Sequence, residues 1–95
     1  MYHVEIHTFN ECGHFHSQMF FGDGDRGKKL VPYLNGEISK LIKDGFNCED
    51  FRCYTENNGK PIVVYTFCKE EPCVNNWVDI IVREVKTEVL YEYDC

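Results

Sequence analysis

The side chains best suited to chemistry gather near one end of the chain. Cys12, His14 and His16 alternate in NECGHFHSQ, and His3, Glu5 and His7 alternate just upstream. Imidazole, thiolate and carboxylate together suit zinc and related ions, provided several donor atoms converge on one point. On an extended chain alternate residues share a face, which sets His14 and His16 roughly 7 Å apart along the strand. His7 and His16 come closer, to about 4.5–5.5 Å between Cβ atoms, if they stand opposite each other on paired strands. His7, His14, His16, Glu5 and Cys12 are therefore the candidate metal ligands, and zinc the candidate ion. A solvated face of an antiparallel sheet explains the same alternation with no ion at all. Clustered imidazoles would also make such a face responsive to pH.

Other motifs carry less. Nucleophilic catalysis needs a thiol or hydroxyl backed by a histidine and a third group. Cys12 beside His14 is the local pairing of that kind, but a hairpin loop offers it no evident oxyanion donors, so no catalytic residue is assigned and the chain is read as leaning away from enzymes. Gly22-x-Gly24-x-x-Gly27 precedes a helical pattern, and Gly22 to Lys28 resembles part of a phosphate-binding loop. Lys29 stands where Ser or Thr should hold magnesium, and Asp23 and Asp25 put carboxylates where phosphates belong. The segment reads as an acidic loop. Cys48-x4-Cys53 and Cys68-x4-Cys73 invite a four-cysteine zinc knot. Pairing outward from Asn58-Gly59 sets Cys48 beside Cys68 but Cys53 opposite Val64, so the four thiols cannot meet.

These side chains need elements to hold them. Residues 2 to 9 and 14 to 21 alternate as two strands joined at NECG, with an even-numbered loop. That parity faces Phe9 to His14, His7 to His16, Glu5 to Gln18 and His3 to Phe20. All four histidines then share one surface, and Tyr2, Val4, Ile6, Phe15, Met19 and Phe21 share the other. Leu30, Leu34, Ile38, Leu41 and Ile42 recur at helical spacing, with Pro32 in the first turn and Asp44-Gly45 closing the helix. Asn35-Gly36 weakens its middle.

FRCYTE and PIVVYTF form a second hairpin about Asn58-Gly59. Its register sets Phe51, Cys53, Ile62 and Val64 on one face, and Tyr54, Val63, Tyr65 and Phe67 on an aromatic face free to meet a partner. Cys53 reads as a small buried hydrophobe, and Pro61 hints at an edge. The last segment, from Trp77 to Tyr93, suits a helix by its apolar spacing. Its β-branched content and the alternation from Val85 to Tyr93 favour a strand.

The chain is thus expected to be a single α+β domain over residues 1–95. An antiparallel or mixed five-stranded sheet packs on one helix in the order β-β-α-β-β-β. That element order resembles a β-grasp arrangement, in which a final strand pairs beside the first.

Ten basic against sixteen acidic residues give a net charge of −6, which disfavours nonspecific nucleic-acid binding and suits a partner with a basic surface. No apolar run approaches the ~20 residues a membrane helix needs, and the N-terminal segment lacks a signal peptide's pattern. With six cysteines but an ample apolar core, the chain reads as cytoplasmic with mostly reduced thiols. The leading functional expectation is a small acidic protein-binding module. It would be an inhibitor of a basic-surfaced enzyme such as a nuclease, or a phage-encoded anti-defence protein. Tyr54, Tyr65, Tyr91 and Tyr93 would be its aromatic anchors, with Glu49, Asp50, Glu70 and Glu71 and the run Glu84, Glu88 and Glu92 as acidic contacts. The alternative is a metal-binding protein or small metal-dependent hydrolase using the histidine face.

Overall fold

A computed structural model describes residues 1–55, 60–69 and 76–84. In chain order these form β1 (Tyr2–Asn10), β2 (Gly13–Phe21), a 3-10 turn (Asp23–Asp25), a π turn (Arg26–Leu30), α1 (Val31–Lys43), β3 (Phe46–Thr55), β4 (Pro61–Lys69) and β5 (Trp77–Glu84). The strands make one sheet in the order β2-β1-β5-β4-β3, with every neighbouring pair antiparallel. The protein is therefore α+β, and its sheet is antiparallel rather than mixed.

The first hairpin follows from alternation and a tight turn. Asn10 pairs with Gly13 across Glu11 and Cys12, and the Asn10 side-chain oxygen accepts a hydrogen bond from the Cys12 amide at 2.8 Å. Gly13 closes the turn at φ 130°, a conformation that side-chain-bearing residues rarely adopt. The resulting register is the expected one, with His7 opposite His16 and Glu5 opposite Gln18.

One face of the sheet, opposite the histidines, carries the main core. Val4, Phe21, Phe46, Phe67, Val78 and Ile80 are buried there with Leu30, which leads into the helix. Tyr33, Leu34, Ile38 and Leu41 of α1 pack against this cluster, as the helical spacing requires. Ile42 departs from the expected stripe and stays largely exposed. Pro32 falls in the first turn, Asn35-Gly36 is accommodated without a break, and Gly45 follows the helix at φ 95°. Between α1 and the sheet lies a cavity of about 330 Å³, lined mainly by Tyr2, Leu30, Leu34, Val63, Tyr65 and Val82.

The second hairpin differs from its expected register by one residue. Cys53 lies opposite Val63, Tyr54 opposite Ile62 and Cys48 opposite Phe67, with a shift between Cys48 and Asp50. A one-residue slip exchanges the faces. Phe51, Cys53, Val63, Tyr65 and Phe67 therefore share the helix side, and the expected aromatic partner face is instead largely core. Tyr54, Ile62 and Val64 lie on the other side, where Ile62 and Val64 are also buried. Cys53 is exposed rather than buried. Pro61 opens an internal strand, where a first residue needs no ladder donor, so it marks no edge.

The ambiguous last segment is a strand over its described part. β5 pairs with β1 on one side and β4 on the other. The β-grasp-like comparison reaches no further than this pairing of last strand with first, because β5 runs antiparallel to both neighbours. The alternation from Val85 onward lies outside the described residues. Among the described residues no helix is long and apolar enough to cross a membrane.

Candidate metal centre

Strand pairing brings the first hairpin's odd-numbered β1 residues and even-numbered β2 residues onto one surface, and β5 extends it. His7 sits between His16 on β2 and Asp79 on β5, while His3 sits between Phe20 and Arg83. Within this grid Glu5, His7 and His16 each offer a donor atom, and these atoms all lie within 4.8 Å of one another. Glu5 Oε2 is 2.8 Å from His7 Nε2 and 3.7 Å from His16 Nε2. A tetrahedral ion with bonds near 2.0–2.2 Å spaces its ligand atoms roughly 3.4 Å apart, so these separations need only small side-chain adjustments.

Two of these candidates are held from behind. Arg83 Nη1 donates to Glu5 Oε1 at 2.8 Å, leaving Oε2 turned toward the histidines. His7 Nδ1 and His14 Nε2 share a hydrogen bond of 2.9 Å. This is the kind of outer partner that orients a metal-ligating imidazole. The tautomers follow from the acceptors. With His7 Nε2–H donating to Glu5, a neutral His7 accepts at Nδ1 from His14. Were His7 Nε2 to hold an ion, His7 would carry its proton on Nδ1 and donate to His14 instead.

Glu5 is the electrostatic centre. Burial pushes its carboxyl pKa up, but the hydrogen bond from His7 and the nearby charges of Arg83, His3 and His7 outweigh burial. Its pKa therefore lies below the ordinary value. His3 donates through Nε2 to Gln18 Oε1 at 2.9 Å and stacks on Phe20 at 4.5 Å. A row of rings walls the other side: His7 lies 5.1 Å from His14, His14 4.3 Å from Phe9, and Phe9 4.5 Å from Trp77. Asp79 does not join the triad and accepts instead from Thr66 Oγ1 at 2.8 Å.

Of the five residues proposed from sequence, Glu5, His7 and His16 converge. His14 supports His7 rather than joining the donor set. Cys12 lies in the exposed turn beyond the cluster. Sequence reasoning missed Arg83, His3 and Gln18 as supports. The signal for Arg83 was present in the idea that the final strand pairs beside the first, which sets Arg83 across from His3.

The residues proposed for partner binding are scattered. Tyr54 is exposed, Tyr65 packs on the core and against Phe51, and Glu49 and Asp50 are exposed where β3 shifts register. Glu84 lies within reach of the Lys60 amine. Glu70, Glu71, Glu88, Tyr91, Glu92 and Tyr93 lie outside the described residues. Among the described cysteines, Cys12, Cys48 and Cys53 are free, while Cys68 is disulfide-bonded. Cys53 pairs with Val63, well along the hairpin from Cys68 opposite Asn47, so these described thiols do not meet.

Compared with known protein families, with curated proteins and with solved structures, the chain matches none.

Proposed function

We propose that this chain binds a divalent transition-metal ion, with zinc the best-suited, through Glu5, His7 and His16. The observation that carries this reading is the convergence of three donor atoms within 4.8 Å. The backing of Glu5 by Arg83 and of His7 by His14 supports it. Two imidazoles and one carboxylate form a borderline donor set suited to zinc, and His16, 44% exposed, leaves the ion open to solvent. A site on an open sheet face, without an enclosing cleft, fits a carrier or sensor better than a hydrolase.

Elemental analysis and zinc titration of protein purified without an affinity tag test this. One zinc per chain is expected, with affinity reduced at least about 100-fold in the His7→Ala/His16→Ala double variant and unchanged in Cys12→Ser. Substoichiometric zinc that the double variant leaves unaltered would remove the reading.

A second reading is the acidic protein-binding module, an inhibitor of a basic-surfaced enzyme or a phage-encoded anti-defence protein. Its specific support is the exposed run of Glu49, Asp50 and Tyr54 on β3, in a chain of net charge −6. Affinity capture from the native source with mass spectrometry should recover a basic partner, and Tyr54→Ala should lose it. A cytoplasmic setting belongs to this reading. The Cys68 disulfide is disfavoured there, so its redox state in protein from the native source decides that point.

A further inference from the structure

The outer edge of β2 is the feature that neither reading uses. Among the described residues β2 ends the sheet, and no described strand pairs with the backbone groups on its outer side. Such an edge is a ready template for another strand. GHFHSQMFF contains no lysine, arginine, aspartate, glutamate or proline, and residues 13 to 20 are all exposed. Its nine residues pair with β1 without a bulge, so the edge is regular from end to end. Phe15 and Met19 stand exposed on the helix side of this strand, at 53% and 43%, and Phe20 on the histidine side at 49%.

We propose that this edge pairs with the same edge of a second copy of the chain, antiparallel about Ser17, joining two five-stranded sheets into one. The register follows from parity. Opposed residues of an antiparallel pair share a face, so the two positions must be both odd or both even. Among such registers, the one centred on Ser17 pairs all nine residues of β2.

That register also matches chemistry. It sets Phe15 against the partner's Met19, His16 against the partner's Gln18, and His14 against the partner's Phe20. The first pair is a sulfur–aromatic contact, the second a hydrogen-bonding pair, and the third repeats the imidazole–phenyl stack already formed by His3 and Phe20. Ser17, small enough for close approach, meets the partner's Ser17 on the axis. A register centred on His16 sets Phe15 against the partner's Ser17. One centred on Gln18 sets Phe15 against the partner's Phe21, which is already buried in the core, opposes Ser17 to the partner's Met19, and leaves Gly13 and His14 outside the paired strands. Each copy carries a net charge of −6, but the paired strands bring no carboxylate together. Because every residue meets its complement on an identical strand, the contact is isologous and closes as a dimer.

The test is the oligomeric state of the full chain by sedimentation and light scattering across the micromolar range, with reductant and chelator present. The expected mass is twice 11.2 kDa. The chelator separates this proposal from the metal reading, since pairing needs no ion. Ser17→Lys puts like charges on the axis and should weaken the dimer at least about 10-fold with an unchanged circular dichroism spectrum. Cys53→Lys, on the opposite edge, should leave the dimer intact.

Crosslinking provides a readout that does not depend on how Ser17→Lys folds. Ser17→Cys should form a disulfide between copies at position 17 under mild oxidation, located by peptide mapping. Phe15→Cys should crosslink with Met19→Cys in a mixture, and neither with itself. A chain that stays monomeric, a dimer indifferent to Ser17→Lys, or the absence of these crosslinks overturns the proposal. So does a monomer that takes up an extended peptide along β2 instead.

Discussion

The two edges of the sheet are handled in opposite ways. β3 carries Glu49, Asp50 and Arg52, shifts register between Cys48 and Asp50, and ties Asp50 to Arg52 at 3.2 Å. Charges and a bulge are the devices by which an edge is kept from pairing with another chain. β2 has neither, and in their place it carries histidines, glutamine and exposed phenylalanines. Like the candidate metal site, which takes its His16, the strand therefore lies in the half of the sheet where side chains are free to make new contacts. The β3 edge is guarded against strand addition, although its side chains stay exposed.

The largest expected effect lies between the two edges. Phe67 is 1% exposed in the core that supports both hairpins. Phe67→Ala should cost about 3–5 kcal/mol in chemical denaturation. A loss confined to one hairpin, visible as two unfolding transitions, would break the picture of one sheet with two differently treated edges.

Next come the supports of the histidine side. His14→Ala removes the partner of His7 and should weaken zinc binding about 10–100-fold without abolishing it. Glu5→Ala deletes the hydrogen bonds that Arg83 Nη1 and His7 Nε2 donate to its carboxylate, and should destabilise the fold by about 1–3 kcal/mol. The pH dependence has a definite sign. Glu5 has its folded pKa lowered from 4.5, so its stabilising contribution is complete above that value and fades as pH falls through the lower folded pKa. Glu5→Gln should flatten this acid limb of a stability–pH curve, and an unchanged limb would show that the Arg83 and His7 contacts carry little.

The smallest effects concern the turn and the guarded edge. Asn10→Ala loses the hydrogen bond to the Cys12 amide, worth about 0.5–1.5 kcal/mol in thermal unfolding. Glu49→Ala/Asp50→Ala should change stability by under about 0.5 kcal/mol. It should nevertheless raise concentration-dependent light scattering, because it strips charge from β3. If scattering does not rise, the bulge alone guards that edge.

How far the sequence spoke depended on how one-sided each strand is. In β1 and β2, polar and apolar residues alternate and a two-residue loop fixes parity, so the register and the shared histidine face could be read directly. In β3 and β4 both faces carry apolar side chains, as in Tyr54, Ile62 and Val64 against Phe51, Val63 and Tyr65. Alternation could not choose between registers there, and the assumption of a two-residue turn at Asn58-Gly59 decided it wrongly. The observed Thr55–Pro61 pair leaves five residues between the strands. The metal candidates were legible as a face but not as a triad. Which atoms converge depends on side-chain torsions, and on Arg83 arriving from a strand some 78 residues away in sequence.

The ring row on the histidine face also supplies a built-in reporter. Trp77 is the chain's only tryptophan, and it stacks on Phe9, which stacks on His14, which bonds to His7. His7 is thus joined through His14 and Phe9 to the one fluorophore that dominates near-ultraviolet emission, and ion binding at the candidate site is expected to register as a change in Trp77 fluorescence. The protein can be followed at its candidate site by its own light, with no label attached.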